Sequence, residues 1–383
     1  MNVPVLVENL NLPSDVLSDT TTIPPNSHSS EASPSASPLL QYRRIAIAVG
    51  DDASHFVAKT AIGLLRYREH DVVAVVAADQ SGRHAQDVYG VGGSIPVVAS
   101  LEQAGQPDSV FIGIAPLGGR LTTSLQNIIR NAVAKGIDVV SGLHEFLFDD
   151  PALRQQALQS GSRLIDVRKN DLKLVAKAAR FRPECLRIHT VGHDCSVGKM
   201  TVALEVENAL KKRRIDAKFL ATGQTGIMIA GDGIPVDCVV SDFVNGAVED
   251  LVWRHQHHDI LLIEGQGGLT HPAYSGVTLG LLHGCAPHAM IMCVEAGRTH
   301  VKGLDNIEIP SLERLCALFE MMASQRFPSV VIGVAINSKH VSAGAARNEA
   351  ASIRSRLGLP VCDVFLDGPE ELVEAILAFQ SNR

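Results

Sequence analysis

Apolar residues in this chain form short continuous runs that alternate with longer amphipathic stretches. Short apolar runs predict strands buried on both faces, and the stretches between them predict helices. Because strands and helices alternate, the first unit is predicted to be a Rossmann-like α/β domain with a parallel sheet. No G-x-G-x-x-G fingerprint is present, so we do not expect it to bind a dinucleotide. The predicted strands are 45–49, 71–77, 109–114 and 138–141, with helices over 55–67 and 122–135.

A second α/β unit starts near residue 185 and has the strand and helix order of a P-loop NTPase-like domain. The stretch 152–179 is predicted to join the two units as helices around a short strand at 164–167. The sequence therefore predicts a Rossmann-like domain over 43–180 and a P-loop NTPase-like domain over 181–383. The strands predicted in the second domain are 186–191, 217–221, 260–264, 289–294, 330–336 and 361–364, with helices over 202–212, 311–324 and 344–357.

The first 42 residues are predicted to be a disordered tail. Residues 14–37 are rich in Ser, Thr and Pro, and such a segment cannot bury enough apolar surface to fold. The first forty residues contain no Lys or Arg, which argues against a secretory signal and against an Arg-rich transit peptide. We therefore expect a cytoplasmic protein.

Composition narrows the range of partners. The chain is 46% hydrophobic and 20% charged, as in ordinary globular proteins, and its net charge of −7 argues against a nucleic-acid partner. The longest apolar stretch, 276–297, is interrupted by polar residues and proline, so no membrane span is expected. The seven cysteines show no C-x-x-C spacing, which predicts buried thiols and no metal site. The expected partner is a small-molecule substrate, and a homo-oligomer is compatible with the sequence.

The strongest chemical signal is a loop over 192–201, between a predicted strand and a predicted helix. A loop of this kind, ending in Gly-Lys, cradles phosphate with its backbone N–H groups, the helix N-terminus and the lysine. Five residues rather than the usual four separate its glycines, and Met200 stands where Ser or Thr normally binds magnesium. The alternative interpretation is a glycine-rich turn with a surface lysine. The predicted cofactor-binding residues are Gly192, Asp194, Cys195, Ser196, Val197, Gly198, Lys199, Met200 and Thr201.

Glu264 is the second signal. It follows four apolar residues, 260–263, which places it at the carboxyl end of a buried strand, where open α/β sheets bind ligands. A carboxylate there could hold a metal on a triphosphate or act as a general base. The alternative is a helix-capping or salt-bridged glutamate.

The segment 222–226 is too rich in glycine and hydroxyl groups for the interior of a strand. It follows the predicted strand 217–221 and so lies at the same sheet edge as the phosphate loop. This favours a ligand-binding loop, with a tight turn as the alternative. The candidate substrate-binding residues in it are Thr222, Gln224 and Thr225.

Other polar groups favour structural roles. A helix N-terminus lowers the pKa of a thiol, so Cys195 could be a nucleophile, but the sequence identifies no His or Asn partner and packing is favoured. The scattered aspartates and a histidine-rich helix end are more typical of turns, caps and dipole partners than of metal ligands. They are Asp232, Asp237, Asp242, His255, His257 and His258.

The second half resembles dethiobiotin synthetase and its relatives. Gly192, Asp194 and the Val-Gly-Lys at 197–199 match the first motif of that family, and the Glu-Gly-x-Gly-Gly at 264–268 matches the second. The resemblance implies that Asn337 reads a nucleotide base and that ATP with Mg²⁺ is the ligand. Met200 and the absence of a Lys-Pro segment after the second strand depart from that pattern.

A resemblance that spans both halves, from about residue 43 to the end, is to the DgcN-type D-glutamate N-acetyltransferase family. The motifs that carry it are 194–201, 221–229, 264–267, 271–280 and 297–298. His193 stands where that family has Thr, and the polar tail is additional. The family pairs a Rossmann-like N-terminal domain with a P-loop C-terminal domain.

This second resemblance implies transfer of acetyl from acetyl-CoA to the amino group of D-glutamate or a similar amino acid, with the loop at 192–201 holding the CoA phosphates. Acyl transfer to an amine needs a base and donors for the oxyanion. Glu264 and His271 are the candidate bases, and the backbone N–H groups of 265–268 or 225–226 are the candidate donors. The further substrate-binding candidates are Arg298 and Lys302 for carboxylates, and Tyr274 and Ser275 for orientation. An ATP-dependent ligase or kinase and a non-catalytic nucleotide-binding protein remain the alternatives.

Overall fold

The computed structural model describes residues 39–51, 58–114 and 121–383. Within these ranges the chain forms two parallel six-stranded sheets flanked by helices, and one two-stranded hairpin. The predicted fold class, a Rossmann-like α/β domain followed by a P-loop domain, is therefore confirmed. Residues 1–38 of the predicted tail lie outside the described residues. Leu39 and Tyr42, which the prediction included in the tail, are buried in the core of the first domain.

The N-terminal strands are β1 (Ile45–Ala48), β2 (Val72–Val76), β3 (Val97–Val98), β4 (Ser109–Ile112), β5 (Asp138–Ser141) and β6 (Leu164–Asp166). Their order across the sheet is β3-β2-β1-β4-β5-β6, with every neighbouring pair parallel. This is the strand order of a Rossmann fold, with its switch point between β1 and β4. The helices are α1 (Lys59–Tyr67), α2 (Ala85–Tyr89), α3 (Thr123–Ala134) and α4 (Pro151–Ser160). Positions 55–57 of the helix predicted over 55–67 lie outside the described residues.

The C-terminal sheet is built from β7 (Leu186–Gly192), β8 (Ala217–Leu220), β9 (Ile260–Ile263), β10 (Ala289–Glu295), β13 (Val330–Asn337) and β14 (Val361–Cys362). The hairpin β11 (His300–Val301) and β12 (Leu304–Glu308) is antiparallel and lies between β10 and β13 in the chain. The sheet order is β14-β13-β10-β7-β9-β8, and its neighbouring strands are all parallel.

Seven helices of the described C-terminal residues pack on this sheet and its loops. They are α5 (Lys199–Lys212), α6 (Gln224–Ala230), α7 (Ser241–His255), α8 (Ser275–Cys285), α9 (Leu312–Ser324), α10 (Ala343–Leu357) and α11 (Glu370–Ser381). None of the helices in the described part of the chain combines the length and apolar character needed to cross a membrane.

The connection between the domains differs from its prediction. A helix and the strand β6 are present, but residues 167–182 form no helix. Their backbone runs along α7 instead, where Glu249 accepts hydrogen bonds from the N–H groups of Lys177 and Ala179 at 2.8 and 2.9 Å. The contact is so close that a Cβ on Gly246 would overlap the carbonyl oxygen of Leu174. Contacts with α7 therefore replace the local helical hydrogen bonds.

The two domains share one apolar core. A single cluster of buried side chains includes strands of both sheets, and α1 packs against α6 across the boundary. Arg68, which is 3% exposed, donates to the carbonyl oxygen of Leu39 in its own domain and of Met228 in the other, both at 3.1 Å. The relative position of the domains is thus set by packing and by buried hydrogen bonds.

Candidate functional site

A cavity of about 940 Å³ lies where the carboxyl ends of the strands of both sheets converge. The N-terminal domain supplies residues that follow β1 and β5, and the C-terminal domain supplies the loops after β7 and β9 together with the ends of β10 and β13. The predicted residues that line it are Cys195, Ser196, Val197, Gly198, Lys199, Met200, Thr201, Gln224, Thr225, Glu264, Tyr274, Arg298, Lys302 and Asn337. The cavity therefore brings together most of the residues that the sequence singled out.

The loop at 192–201 connects β7 to α5. Its turn uses two left-handed backbone conformations, with φ of +60° at Ser196 and +104° at Gly198. A side chain at the first of these costs strain, and glycine relieves it at the second. α5 begins at Lys199, three residues earlier than predicted, so the positive end of a 14-residue helix faces the cavity. This is the geometry of a phosphate-binding loop.

Lys199 is buried and spans the two glycine-containing segments. Its Nζ donates to the carbonyl oxygens of Asp194 at 2.8 Å and Gly267 at 2.7 Å. Burial lowers the pKa of the Lys199 ammonium, and the carboxyl groups of Asp194 and Glu264 partly oppose that effect. The lysine is thus held at the cavity wall, between the phosphate loop and the segment that follows β9.

Asp194 stabilises the phosphate loop from the side that faces away from the cavity. Its carboxylate is fully buried and accepts hydrogen bonds from the N–H of Cys195 at 2.7 Å, from Arg298 Nη1 at 2.9 Å and from the N–H of Lys302 at 2.7 Å. Arg298 also pairs with Glu295. The guanidinium predicted to bind a substrate carboxylate therefore already holds two carboxylates of the protein, and its substrate role stays a prediction.

Glu264 directly follows the last residue of β9 and is 5% exposed. Its Oε2 accepts hydrogen bonds from the N–H groups of Thr222 at 2.8 Å and Gly223 at 3.3 Å. Burial raises the pKa of this carboxyl to about 7, against the opposing effect of the two N–H donors and of Lys199. A carboxyl group with a pKa near neutrality, on a cavity wall, can take up and release a proton under physiological conditions.

Only Thr222 and Gly223 of the segment predicted as a loop connect β8 to α6, and residues 224–226 form the first turn of that helix. Thr222 is fully buried, and its Oγ1 donates to the backbone carbonyl oxygen of Glu264 at 2.9 Å, so its side chain fixes the backbone of Glu264 while its N–H binds the carboxylate. Thr225 Oγ1 lies 2.7 Å from Thr60 Oγ1 of α1. Gln224 Oε1 accepts a hydrogen bond from Arg168 at 2.8 Å.

His271, the second candidate base, is 3% exposed and lies behind the cavity lining. Its Nδ1 accepts a hydrogen bond from the N–H of Ala273 at 3.1 Å, so the neutral ring carries its proton on Nε2. That Nε2 has no hydrogen-bond partner among the described residues and lies 3.9 Å from Asp194 Oδ1. This tautomer suits donation toward Asp194, and the geometry favours Glu264 as the base.

The remaining predicted residues lie around this centre. Tyr274 is half exposed at the cavity, and its ring packs tilted against His271 with centroids 4.6 Å apart. Ser275 starts α8, and its N–H donates to the carbonyl oxygen of His271. Asn337 ends β13, and its Oδ1 accepts a hydrogen bond from the N–H of Lys339. Gly192 ends β7 behind the lining.

Cys195, Asp194 and His271 come close enough together to share a metal ion, and within the described residues they form the one such group. Both Asp194 oxygens already accept hydrogen bonds, and the proton on His271 Nε2 occupies the position a metal would take. Burial raises the pKa of the Cys195 thiol, which disfavours both a thiolate ligand and a nucleophile.

Each of the two domains matches a known protein family. Residues 78–170 match a family described as a domain of unknown function, the DUF1611 N-terminal Rossmann-like domain. Residues 174–373 match the DUF1611 P-loop domain, also of unknown function. The chain belongs to the DUF1611 family.

Relatives of this DUF1611 protein extend over most of its length. It is 35% identical over 332 residues to a D-glutamate N-acetyltransferase of Tritonibacter scottomollicae, which covers 86% of this chain and 97% of that protein. It is 38% identical to a D-glutamate N-acetyltransferase of a Pseudoalteromonas species, over 68% of this chain and 79% of that protein. A crystal structure of a DUF1611 family protein from Anabaena variabilis matches with a TM-score of 0.82 and 37% identity, covering 88% of this chain and 99% of that one.

Sequence reasoning missed the residues that the N-terminal domain of the DUF1611 chain brings to the cavity. Lys59, at the start of α1, donates from Nζ to Ser196 Oγ at 3.0 Å. His144, which follows β5, lines the cavity near Asp237. The rule that open sheets bind ligands beyond their carboxyl edges points to the loops after β1 and β5. Nothing local in the sequence indicates that these loops face the phosphate loop of the other domain.

Proposed function

We propose that this DUF1611 protein is an N-acetyltransferase that moves the acetyl group of acetyl-CoA to the amino group of D-glutamate or a similar amino acid. The names of its two curated relatives, at 35% and 38% identity, support the reaction class and the acceptor. The structural observation that supports it most is Glu264, a buried carboxyl with a pKa of about 7 beside a phosphate-binding loop.

The residues around the cavity fit a CoA-type ligand. The phosphate loop, the N-terminus of α5 and the Lys199 ammonium suit a diphosphate. A volume of about 940 Å³ is at the upper end of the range for small-molecule sites, roughly 300–1,000 Å³. Met200 offers no hydroxyl to a magnesium ion, which suits a loop that binds a phosphorylated carrier without hydrolysing it. When bound, acetyl-CoA would supply the thioester carbonyl for attack by the amine.

Glu264 is assigned the role of general base. Its carboxylate takes one proton from the ammonium group of the acceptor, and the resulting amine is able to attack the thioester carbon. A C–N bond forms and the C–S bond breaks, the second amine proton ends on the leaving thiolate, and Glu264 releases the first proton to solvent. The N–H groups of Thr222 and Gly223 keep the carboxylate oriented through this cycle.

The direct test is an assay with acetyl-CoA and D-glutamate in the absence of ATP and with a chelator present. We expect release of free thiol, measured colourimetrically, and N-acetylglutamate identified by mass spectrometry. L-Glutamate and D-aspartate in parallel reactions define the acceptor. A strict requirement for ATP and Mg²⁺ would contradict the proposal and favour a ligase or kinase.

A second test addresses the phosphate loop. Lys199→Ala removes a buried ammonium that would bind the diphosphate, so we expect CoA affinity to fall by about tenfold or more, measured by isothermal titration calorimetry. Lys211→Ala, on the exposed face of the same helix α5, is the matched control and should bind CoA like the wild type. Equal CoA affinity in Lys199→Ala and the wild type would remove the role assigned to the loop.

A further inference from the structure

Lys59 reaches into the cavity from the Rossmann-like domain. It is the first residue of α1, and its Nζ lies 3.0 Å from the Oγ of Ser196 at the tip of the phosphate loop. Ser196 holds its hydroxyl there from a left-handed backbone conformation. An ammonium group of the N-terminal domain is thus positioned on the phosphate loop of the C-terminal domain.

Several positive charges converge at this point. Lys302 and Arg298 line the same cavity. Partial burial, and to a lesser extent the charges of these two residues, lowers the pKa of Lys59 to about 8. Cationic side chains that line one cavity raise the local concentration of anions there. The arrangement is therefore typical of a site that binds a multiply charged anion.

The helix that carries Lys59 is held rigidly against the C-terminal domain. Thr60 Oγ1 lies 2.7 Å from Thr225 Oγ1 of α6, and Tyr67 Oη donates to Glu205 of α5 at 2.8 Å. Gly63, between them, lets α1 approach α6 so closely that a Cβ there would lie 2.8 Å from Thr225 Cγ2. The backbone of Lys59 is consequently pre-positioned, so ligand binding would have to order only its side chain.

We propose that Lys59 and Lys302 form an anion subsite that faces the phosphate loop across the domain boundary and binds a phosphate group of the ligand held there. The subsite rests on the proposed function, because it takes the same phosphorylated ligand. It gives the Rossmann-like domain, which lacks a dinucleotide fingerprint, a direct part in binding. The phosphate bound there is either part of the diphosphate of CoA or its 3′-phosphate, and the experiment below distinguishes these two groups.

The experiment uses the full chain and measures the affinity of CoA, 3′-dephospho-CoA and inorganic pyrophosphate by isothermal titration calorimetry. Lys59→Ala should bind CoA about tenfold or more weakly, and Lys59→Arg should stay within about threefold of the wild type. Loss of affinity for all three probes assigns Lys59 to the diphosphate. Loss for CoA alone assigns it to the 3′-phosphate. Lys135→Ala, which removes an exposed lysine elsewhere on the same domain, is the matched control and should leave all three affinities unchanged.

Two results would overturn the subsite. The first is that Lys59→Ala binds every phosphate probe with unchanged affinity. The second is that Lys59→Ala raises the KM for D-glutamate and leaves CoA affinity unchanged, because that would assign Lys59 to the acceptor carboxylates. Circular dichroism and thermal melting establish that the variant is folded, and Lys302→Ala tests the same subsite from the other domain. If the wild-type protein binds CoA through Lys59 but transfers no acetyl group, the proposed reaction is refuted and the anion subsite is retained.

Discussion

At the residue scale, Glu264 combines two features that are rarely favourable together. Its carboxyl group is almost inaccessible to water, and yet it lines the ligand cavity and accepts two backbone hydrogen bonds. Burial favours the protonated form, whereas the N–H donors and Lys199 favour the carboxylate. The balance leaves a pKa of about 7, which is the value expected of an efficient base at neutral pH.

This balance predicts the pH dependence of activity. Because only the carboxylate can accept a proton, kcat/KM should fall about tenfold per pH unit below pH 7 and approach a plateau above it. Glu264→Gln should lower kcat by about a hundredfold or more and abolish that acidic limb. Glu207→Gln, a buried glutamate on α5 outside the cavity lining, should keep the wild-type profile. An unchanged acidic limb in Glu264→Gln would exclude this residue as the base.

The same pKa predicts that folding stability, unlike activity, falls as the pH rises. The folded protein holds the Glu264 proton up to about pH 7, whereas the unfolded chain releases it near pH 4.5, so folding stability falls as pH rises through this window. Glu264→Gln stays neutral and should be more stable than the wild type at pH 8, by up to roughly 3 kcal/mol. The difference should vanish near pH 4, below the pKa of the unfolded chain. Melting temperatures at both pH values measure it, and equal stabilities at pH 8 would contradict the raised pKa.

At the element scale, the contact between α1 and α6 positions the cavity walls. A Cβ at Gly63 would lie 2.8 Å from Thr225 Cγ2 and 3.3 Å from Ile229 Cδ1, so the helices would have to separate. Gly63→Ala should therefore cost about 1–3 kcal/mol of stability and weaken CoA binding. Gly344→Ala, in α10 where a Cβ meets only open space, is the matched control and should stabilise the protein by about 0.5–1 kcal/mol. Chemical denaturation and calorimetry measure both effects, and a stable Gly63→Ala variant with normal affinity would contradict this view of the contact.

Elements with strong local signals were predicted correctly, and elements with weak ones were not. The prediction of β5 over 138–141 was confirmed, because its apolar run is continuous and all four residues are buried. The hairpin β11–β12 was missed, since its residues are mostly polar and partly exposed and show no alternation. The first turn of α6 was predicted as a loop, because Gly226 lowers helix propensity. In the structure Gly226 packs directly beside Glu264, and this tertiary contact outweighs the local preference.

At the scale of the whole molecule, the parallel sheets of a Rossmann-like domain and a P-loop domain direct their ligand-binding edges at one cavity. Each edge alone would be an open crevice, and together they enclose about 940 Å³. The shared core cluster and the buried Arg68 connect the domains. Binding at the cavity is thus coupled to the packing between the domains.

The shared core predicts a single cooperative unfolding transition for the part of the chain that the structure describes, observed by differential scanning calorimetry. Arg68→Ala would leave the buried carbonyl oxygens of Leu39 and Met228 without their donor and Asp71 without its closest cation. We expect a loss of about 3–5 kcal/mol and a broadened or divided transition. Arg83→Ala, at an exposed position of the first domain, should melt like the wild type. Two separate transitions in the wild type would show that the domains unfold independently.

The amino-acid sequence by itself determined the features that contiguous residues encode: the parallel-strand pattern, the phosphate loop, and Glu264 at the end of a buried strand. Only the tertiary structure decided which side chains meet at the cavity. Lys59 reaches Ser196 across 137 positions of sequence, and Arg298 is paired with Asp194 across 104. Contacts over such separations depend on how a complete domain folds or on how the two domains pack, and no local pattern of residues specifies either.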